Sequence, residues 1–490
     1  MVRLLASDLK HCEASASALA LACCSKRLGD IVLDSLWEQV DGLVRLMRCL
    51  PPETWELREV EGTSYCEFVR TTWVHSDFLS SLNLNRQAFL RCPSTEEWFR
   101  FSSYARRIRT FYASSGFTES PGVPPAVYHM LSMQTPTLGH HLFPNLRSIY
   151  WGLYPWNLLH FLQLFLNPGL VDVTIEFPDN DLHIYRPAAI SLIPTKNLTH
   201  LRLLYMEDDD PLSMNALHNL LDKASKTLRS VRLDGEPSMA VIEKLLQLPN
   251  LRCLHVHLPG SLIFPSAVVF PTLRELKVTF LGSSPAYLQT LGTSLLDAPM
   301  ERTLTSFECA CDKIPLTEAG LRPLLSFRRL TKLVISSSCT EEQCNSQLND
   351  SIISELAAAL PQLTRLELGN IPCKAPTSDV TVASLVALST HCVDLEVLQL
   401  HFNTNDITPY GTHTNSQTHK FTCKLRVLSV GSQPLPSNYD NDALRVAFAL
   451  LHLFPHLRIV SHRGWTGSQV GQVVHLFREA PKTVLLLATN

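Results

Sequence analysis

Two histidines one residue apart have a type and spacing that could support metal chemistry. His255 and His257 flank Val256, and residues two positions apart in a strand lie on the same face. Imidazole is a ligand of zinc, copper and nickel. No third ligand accompanies the pair at a fixed spacing, and histidines are ordinary on the solvated face of a sheet. We therefore predict no metal site and no cofactor.

The cysteines and the known catalytic motifs give no stronger signal. The pairs Cys23–Cys24 and Cys309–Cys311 lack the two-residue gap of zinc and redox motifs, and we expect them to fill small apolar spaces. The sequence contains no Gly-x-Ser-x-Gly, Walker-type loop or His-Glu-x-x-His. It therefore predicts a protein that is not an enzyme.

A basic, aromatic segment suggests nucleic-acid binding, because Arg100, Arg106, Arg107 and Arg109 lie among aromatic residues. The alternative is an exposed helix face whose arginines pair with local acids. The net charge of the chain is −3, which provides no general attraction to polyanions. We favour the helix face and predict no nucleic-acid partner.

A repeated strand pattern positions most of the polar residues. Residues 251–256 read Leu-x-x-Leu-x-Val, which places Leu254 and Val256 on one face of a strand and His255 on the other. Eleven further copies begin at Leu146, Leu170, Leu198, Leu228, Leu273, Leu304, Leu330, Leu363, Leu395, Leu425 and Leu457. Successive copies begin 22 to 33 residues apart, which overlaps the range of leucine-rich repeats.

Apolar helical segments alternate with these strands and complete the predicted architecture. Apolar residues recur three or four apart in 214–221, 241–246, 352–360 and 442–451. Alternation of strands and helices predicts an α/β fold, a leucine-rich-repeat solenoid with a curved parallel sheet and helices on its convex side. We also expect an opening strand at 108–112 and a terminal strand at 480–487.

The polar residues that alternate with the buried ones would form the concave face of that sheet. We predict that this face binds a protein substrate through its basic residues, and their number suggests an acidic partner. The predicted substrate-binding residues are Arg202, Arg232, His255, His257, Lys277, Lys332 and Arg365. The alternative is that they form the solvated side of the sheet and bind nothing.

Composition bounds the compartment and the domains. The sequence has no signal-peptide pattern, no apolar run long enough for a bilayer, and 14 scattered cysteines. We therefore expect a cytoplasmic or nuclear protein with free thiols and no membrane contact. The predicted domains are a helical segment (1–50), an irregular helical connector (51–136) and about twelve repeats (137–490). Within the first, a helix break is expected at Gly29–Asp30.

Two segments resemble a known family. Ser25 to Trp37 resembles the second half of the F-box of fungal F-box/leucine-rich-repeat proteins. Trp98 to Arg109 is similar to the segment that joins F-box and repeats in basidiomycete members. Two features depart from the family pattern. Leu28 stands where an aromatic residue is common, and the opening Leu-Pro helix is missing, which makes the F-box incomplete.

The resemblance implies a substrate-recognition subunit of an SCF-type E3 ubiquitin ligase. Its partners would be a Skp-family adaptor, the cullin ligase core and an unknown protein substrate held by the repeats. The implied adaptor-binding residues are Leu28, Ile31, Leu33, Leu36 and Trp37. The alternative is a protein-interaction scaffold with no ligase role, in which the N-terminal helices only cap the repeats.

Overall fold

The structure is a computed structural model that describes most of the chain. The described residues are 26–51, 54, 56–59, 66–69, 93–114, 125–138, 141–152, 156–177, 185–206, 210–259, 272–281, 287–296, 302–312, 316–338, 347–369, 378–403, 422–430 and 449–462. The chain divides into two compact units, Met1–Lys244 and Leu245–Asn490. Within the described ranges, no helix combines the length and the apolar character needed to cross a membrane.

The first unit contains a parallel sheet of six strands in the order β1-β4-β5-β6-β7-β8. Strands β2 and β3 form a separate antiparallel pair. The strands are β1 Gln39–Asp41, β2 Glu56–Glu59, β3 Cys66–Val69, β4 Thr110–Ser114, β5 Ser148–Gly152, β6 Asp172–Glu176, β7 His200–Leu204 and β8 Ser230–Leu233. The helices are α1 Lys26–Trp37, α2 Val44–Met47, α3 Thr95–Ala105, α4 Pro125–Leu138, a 3-10 helix Trp156–Leu164, α5 Arg186–Leu192, α6 Pro211–Ala224 and α7 Met239–Leu246.

The second unit contains eight parallel strands in chain order, β9 to β16. They are β9 Cys253–Pro259, β10 Glu275–Leu281, β11 Ser306–Asp312, β12 Lys332–Ser338, β13 Arg365–Leu368, β14 Val397–Leu400, β15 Val427–Val430 and β16 Ile459–His462. The helices are α8 Tyr287–Leu296, α9 Glu318–Leu321, a 3-10 helix Arg322–Ser326, α10 Asp350–Ala359 and α11 Val382–His391.

The apolar positions of the repeat lie in register across each sheet. In the second unit the fourth residue of the pattern forms the row Leu254, Leu276, Phe307, Leu333, Leu366, Leu398, Leu428 and Val460. None of these residues exposes more than 7 % of its surface. Burial of each such side chain contributes about 1.5–3 kcal/mol relative to exposure. This register and the parallel strand order confirm the predicted α/β leucine-rich-repeat fold.

Backbone hydrogen bonds fix the point at which each strand begins. The carbonyl oxygen of Arg252 accepts the N–H groups of Arg274 (2.8 Å) and Glu275 (2.9 Å), and the same double acceptance recurs at the following strands. Threonine hydroxyls reinforce it, because Thr305 donates to the carbonyl of Arg274 (3.1 Å) and Thr331 to that of Thr305 (3.0 Å). Thr364 continues the series by donating to the carbonyl of Thr331 (2.9 Å).

Two of the four predicted helical segments lie within α6 and α7, and a third, 352–360, extends one residue past the end of α10. Helices contact each other in the same order as the strands, α5 with α6 and α10 with α11. Helix α6 begins at the N-cap Asp210, whose carboxylate accepts the N–H groups of Leu212 and Ser213. Of the fourth segment, 442–451, only its end is described, as helix from residue 449. The predicted terminal strand at 480–487 and the helical residues before 26 lie outside the described residues.

One sequence prediction about the N-terminal part needs correction. The sheet of the first unit already includes β1 and β4, which precede the predicted repeat boundary at residue 137, and this boundary stays a prediction. Strand β4, Thr110–Ser114, overlaps the opening strand expected at 108–112. Helix α1 runs through Gly29–Asp30 without the expected break, since Gly29 and Val32 are buried on its inner face.

Candidate protein-binding surface

In each strand, one residue lies between the two buried positions of the repeat pattern and points to the other side of the sheet. These residues form what we call the open face. In the second unit its central row is His255, Lys277, Glu308, Val334, Glu367, Gln399, Ser429 and Ser461. Alternation along each strand directs these side chains away from the buried row. The predicted residues His255 and Lys277 are therefore brought together on neighbouring strands.

Ion pairs occupy the middle of this row. Lys277 Nζ lies 3.4 Å from the Glu308 carboxylate, and Lys332 contacts the other oxygen of the same group. Burial alone raises the pKa of Glu308, but the two ammonium groups outweigh it, so this pKa lies below its usual value. Arg365 donates from Nε to Glu367 (2.7 Å). Three predicted substrate-binding cations thus pair with two acids of the same sheet, which leaves them less positive charge for an acidic partner.

The paired histidines occupy the same side of β9, as the sequence predicts. The ring centroids of His255 and His257 are 5.9 Å apart, and both residues are half-buried. Their register neighbours on β10 are Lys277 and Thr279. The pair therefore adds polar surface beside a cation.

In the first unit, the open face carries an aromatic and basic row that the sequence prediction missed in part. In order along the sheet it consists of Asp41, Tyr112, Tyr150, Thr174, Arg202 and Arg232. The rings of Tyr112 and Tyr150 have centroids 6.3 Å apart, and the Tyr150 hydroxyl donates to the Glu176 carboxylate. Tyrosine and arginine are the residues most enriched in protein interfaces, together with tryptophan.

Arg232, at the end of this row, pairs with Asp234. Arg232 donates to Asp234 from Nε (3.0 Å) and Nη2 (2.7 Å), and this hydrogen bonding raises the pKa of Arg232 above its usual value. Tyr205 is exposed and has a φ of 54°. This left-handed backbone conformation costs energy for a residue other than glycine. A Cβ atom at Gly235, where φ is 139°, would lie 1.8 Å from the Met206 carbonyl oxygen.

The N-terminal helix α1 packs against the second family-like segment, Trp98 to Arg109, which lies within the predicted connector. The rings of Trp37 and Tyr104, which belongs to α3, have centroids 4.8 Å apart. Arg107 donates to the carboxylate of Asp30 (2.9 Å), to the Asp30 carbonyl (3.1 Å) and to Asp34. Arg107 thus pairs with acids, but they belong to α1 and not to its own segment, and Arg107 itself lies beyond the end of α3. The two segments that carry the family resemblance contact each other.

The predicted adaptor-binding residues do not form a fully exposed patch. Ile31, Leu33, Leu36 and Trp37 are half-buried, and the side chain of Leu28 lies outside the described part of the structure. A capping box opens α3, because the side chains of Ser94 and Glu97 each accept the other residue's backbone N–H. The most exposed large apolar residue that the structure describes is Phe99 in α3, at 74 %, and the sequence prediction did not single it out.

Comparisons with known proteins give only distant similarities. No family model matches the chain, and no curated protein matches it. A crystal structure of the Rad7 and Elc1 complex in yeast is similar at a TM-score of 0.38 and 17 % identity, covering 60 % of this chain and 72 % of that chain. The leucine-rich repeat-containing protein LegL7 from Legionella pneumophila gives a TM-score of 0.32 and 12 % identity, covering 76 % and 99 %. The fold assignment rests on the strand register described above.

Proposed function

We propose that this chain is a protein-binding leucine-rich-repeat protein without a catalytic role of its own. The observation that carries the proposal is the row on the open face of the first unit, where Tyr112 and Tyr150 are neighbours, Thr174 follows them, and Arg202 and Arg232 are neighbours beyond it. Such a row offers aromatic surface and guanidinium donors to a partner. The buried row on the opposite side of the same strands holds it in place.

We further propose that the chain acts as the substrate-recognition subunit of an SCF-type E3 ubiquitin ligase. A Skp-family adaptor would dock on α1 and connect the chain to the cullin core, where another subunit carries out catalysis. The proposal rests on the F-box resemblance of residues 25–37. The contact of α1 with the second family-like segment, through Trp37 and Arg107, supports it because both segments then form one docking element.

The test is co-purification of the full chain with a Skp-family adaptor, with variants that separate docking from folding. Trp37→Ala removes a proposed adaptor-binding residue and also the ring contact with Tyr104. Tyr104→Ala removes the same ring contact but leaves Trp37 in place. We expect Trp37→Ala to lose adaptor binding and Tyr104→Ala to retain it. Equal loss in both variants would assign Trp37 to internal packing.

The alternative is a scaffold that binds a partner through the repeats and has no ligase role. Its support is the half-burial of Ile31, Leu33, Leu36 and Trp37, which leaves less apolar surface for docking than a fully exposed patch. Absence of adaptor binding by the wild-type chain at micromolar concentration would favour the scaffold.

A further inference from the structure

Five arginines lie in the segments that lead into the first four strands of the second unit, and we call them the basic edge. Arg252 and Arg274 directly follow the first leucine of their copy, whereas Arg302, Arg328 and Arg329 lie one or two residues before it. All five are exposed. They occupy four consecutive repeats, in the segments 250–252, 272–274, 302–305 and 328–331, and these segments contain no aspartate or glutamate. Two glutamates, Glu275 and Glu301, directly adjoin these segments, so the basic edge has five positive charges against two negative ones, on a chain whose net charge is −3.

Backbone hydrogen bonds place these segments side by side. The carbonyl of Arg252 accepts the N–H of Arg274, that of Arg274 accepts the N–H of Thr305, and that of Thr305 accepts the N–H of Thr331. Neighbouring strands are about 4.8 Å apart, so the basic edge, which follows four strands, extends over roughly 14 Å. Arg252 and Arg274 are direct neighbours across two parallel strands, an arrangement of like charges that is unfavourable by itself. An anion bound between them would relieve this repulsion.

Two acids lie close to the basic edge, on the strands that follow it. The side chain of Glu275 hydrogen-bonds the thiol of Cys253, and burial together with this carboxylate raises the pKa of Cys253 to about 11. A neutral thiol leaves the charge of Glu275 in place, so this carboxylate offsets part of the positive charge of the edge. The carboxylate of Glu308 is instead shared by Lys277 and Lys332.

We propose that the basic edge is a second binding surface, which takes an acidic polypeptide segment rich in aspartate and glutamate. All five cations are arginine, whose planar guanidinium pairs with carboxylates through two parallel hydrogen bonds. The four segments contain no aromatic residue, so they offer no platform for the base stacking by which proteins bind single-stranded nucleic acid. The surface is separate from the open face, and it does not depend on the proposed ligase role.

The test measures binding of a fluorescently labelled oligoglutamate peptide to the full chain by anisotropy at low salt. The edge variant carries Arg252→Gln, Arg274→Gln and Arg328→Gln. The matched control carries Arg45→Gln, Arg48→Gln and Lys223→Gln, which removes the same charge from exposed positions on α2 and α6. We expect the edge variant to bind about tenfold more weakly, since three exposed ion pairs are lost. The control should bind like the wild type, and added salt should weaken wild-type binding.

Three results would overturn the proposal. One is a wild-type chain that does not bind the peptide at low salt, and another is an equal loss of affinity in the edge and control variants. The third uses an oligothymidylate probe: tighter binding of this probe than of the peptide would make the edge a nucleic-acid surface. Because all substituted residues are exposed, both variants should melt at the wild-type temperature, and this melting measurement accompanies the binding data.

Discussion

Removal of the Asp350 carboxylate should destabilise the second unit. This group links two neighbouring helices, because its Oδ1 accepts the N–H of Thr381 (2.8 Å) and the hydroxyl of Ser384 (2.5 Å), and its Oδ2 accepts the hydroxyl of Thr381 (2.6 Å). Hydrogen bonds to a charged group contribute about 1.5–3 kcal/mol each, and partial solvent exposure reduces this. We expect Asp350→Ala to lower the free energy of unfolding by about 2–4 kcal/mol.

The assay is urea unfolding of the variant and the wild type over a range of pH. Burial raises the pKa of Asp350, but the hydrogen bonds from Ser384 and Thr381 outweigh it, so this pKa lies below its usual value. The stabilisation is therefore complete above the unfolded-state pKa of about 3.9 and is lost as the pH falls through the lower folded-state value. The difference between variant and wild type should shrink in that acidic range.

Glu243→Ala is the control for this experiment, since Glu243 is an exposed carboxylate on α7. Its effect on the free energy of unfolding should stay within about 0.5 kcal/mol, as for most surface substitutions. The reasoning fails if Asp350→Ala is as mild as the control. A loss of stability in Asp350→Ala that stays the same as the pH falls below about 3.9 would also contradict the prediction.

Two further predictions concern the register and a tight turn. Leu254→Asp should lower the free energy of unfolding by about 3 kcal/mol or more, because it buries a charge at a position that is only 5 % exposed. His255→Ala, on the opposite face of the strand, should change the free energy of unfolding by about 0.5 kcal/mol. Equal losses of melting temperature in the two variants would contradict the register. Gly235→Ala should lower the free energy of unfolding by about 2 kcal/mol or more, since the new methyl group meets the Met206 carbonyl and the backbone φ is positive. A variant that melts at the wild-type temperature would refute this prediction.

The buried part of the fold was predictable from the sequence because burial leaves a period-two signal. Leu254 and Val256 mark their strand unambiguously, and the same pattern recurs at every later strand. Strand β1 was not predicted, since it is three residues long and Val40 is its only fully buried residue. A strand this short contains too few alternating positions to stand out from a loop.

The candidate surface was only partly predictable for a different reason. The pattern identifies which residues point to the open face, and so it placed Arg232 and Lys277 correctly. It does not reveal that Asp234 and Glu308 bind them, because these contacts depend on side-chain conformation and on neighbouring strands. Tyr150 occupies the same pattern position as Lys277, and an alignment of that position across all copies could have revealed the aromatic row.

The hydrogen bonds at the strand entries have a consequence for how this chain tolerates insertions. The copy at Leu251 is followed by the next after 22 residues and the copy at Leu330 after 33 residues, yet Arg274 and Thr364 enter their strands through the same backbone hydrogen bonds. Doubling the length of a flexible loop costs only about 0.6 kcal/mol. Extra residues after a strand should therefore change the connecting segment and leave strand pairing unshifted, so peptide tags inserted there offer a route to labelling the protein without loss of its fold.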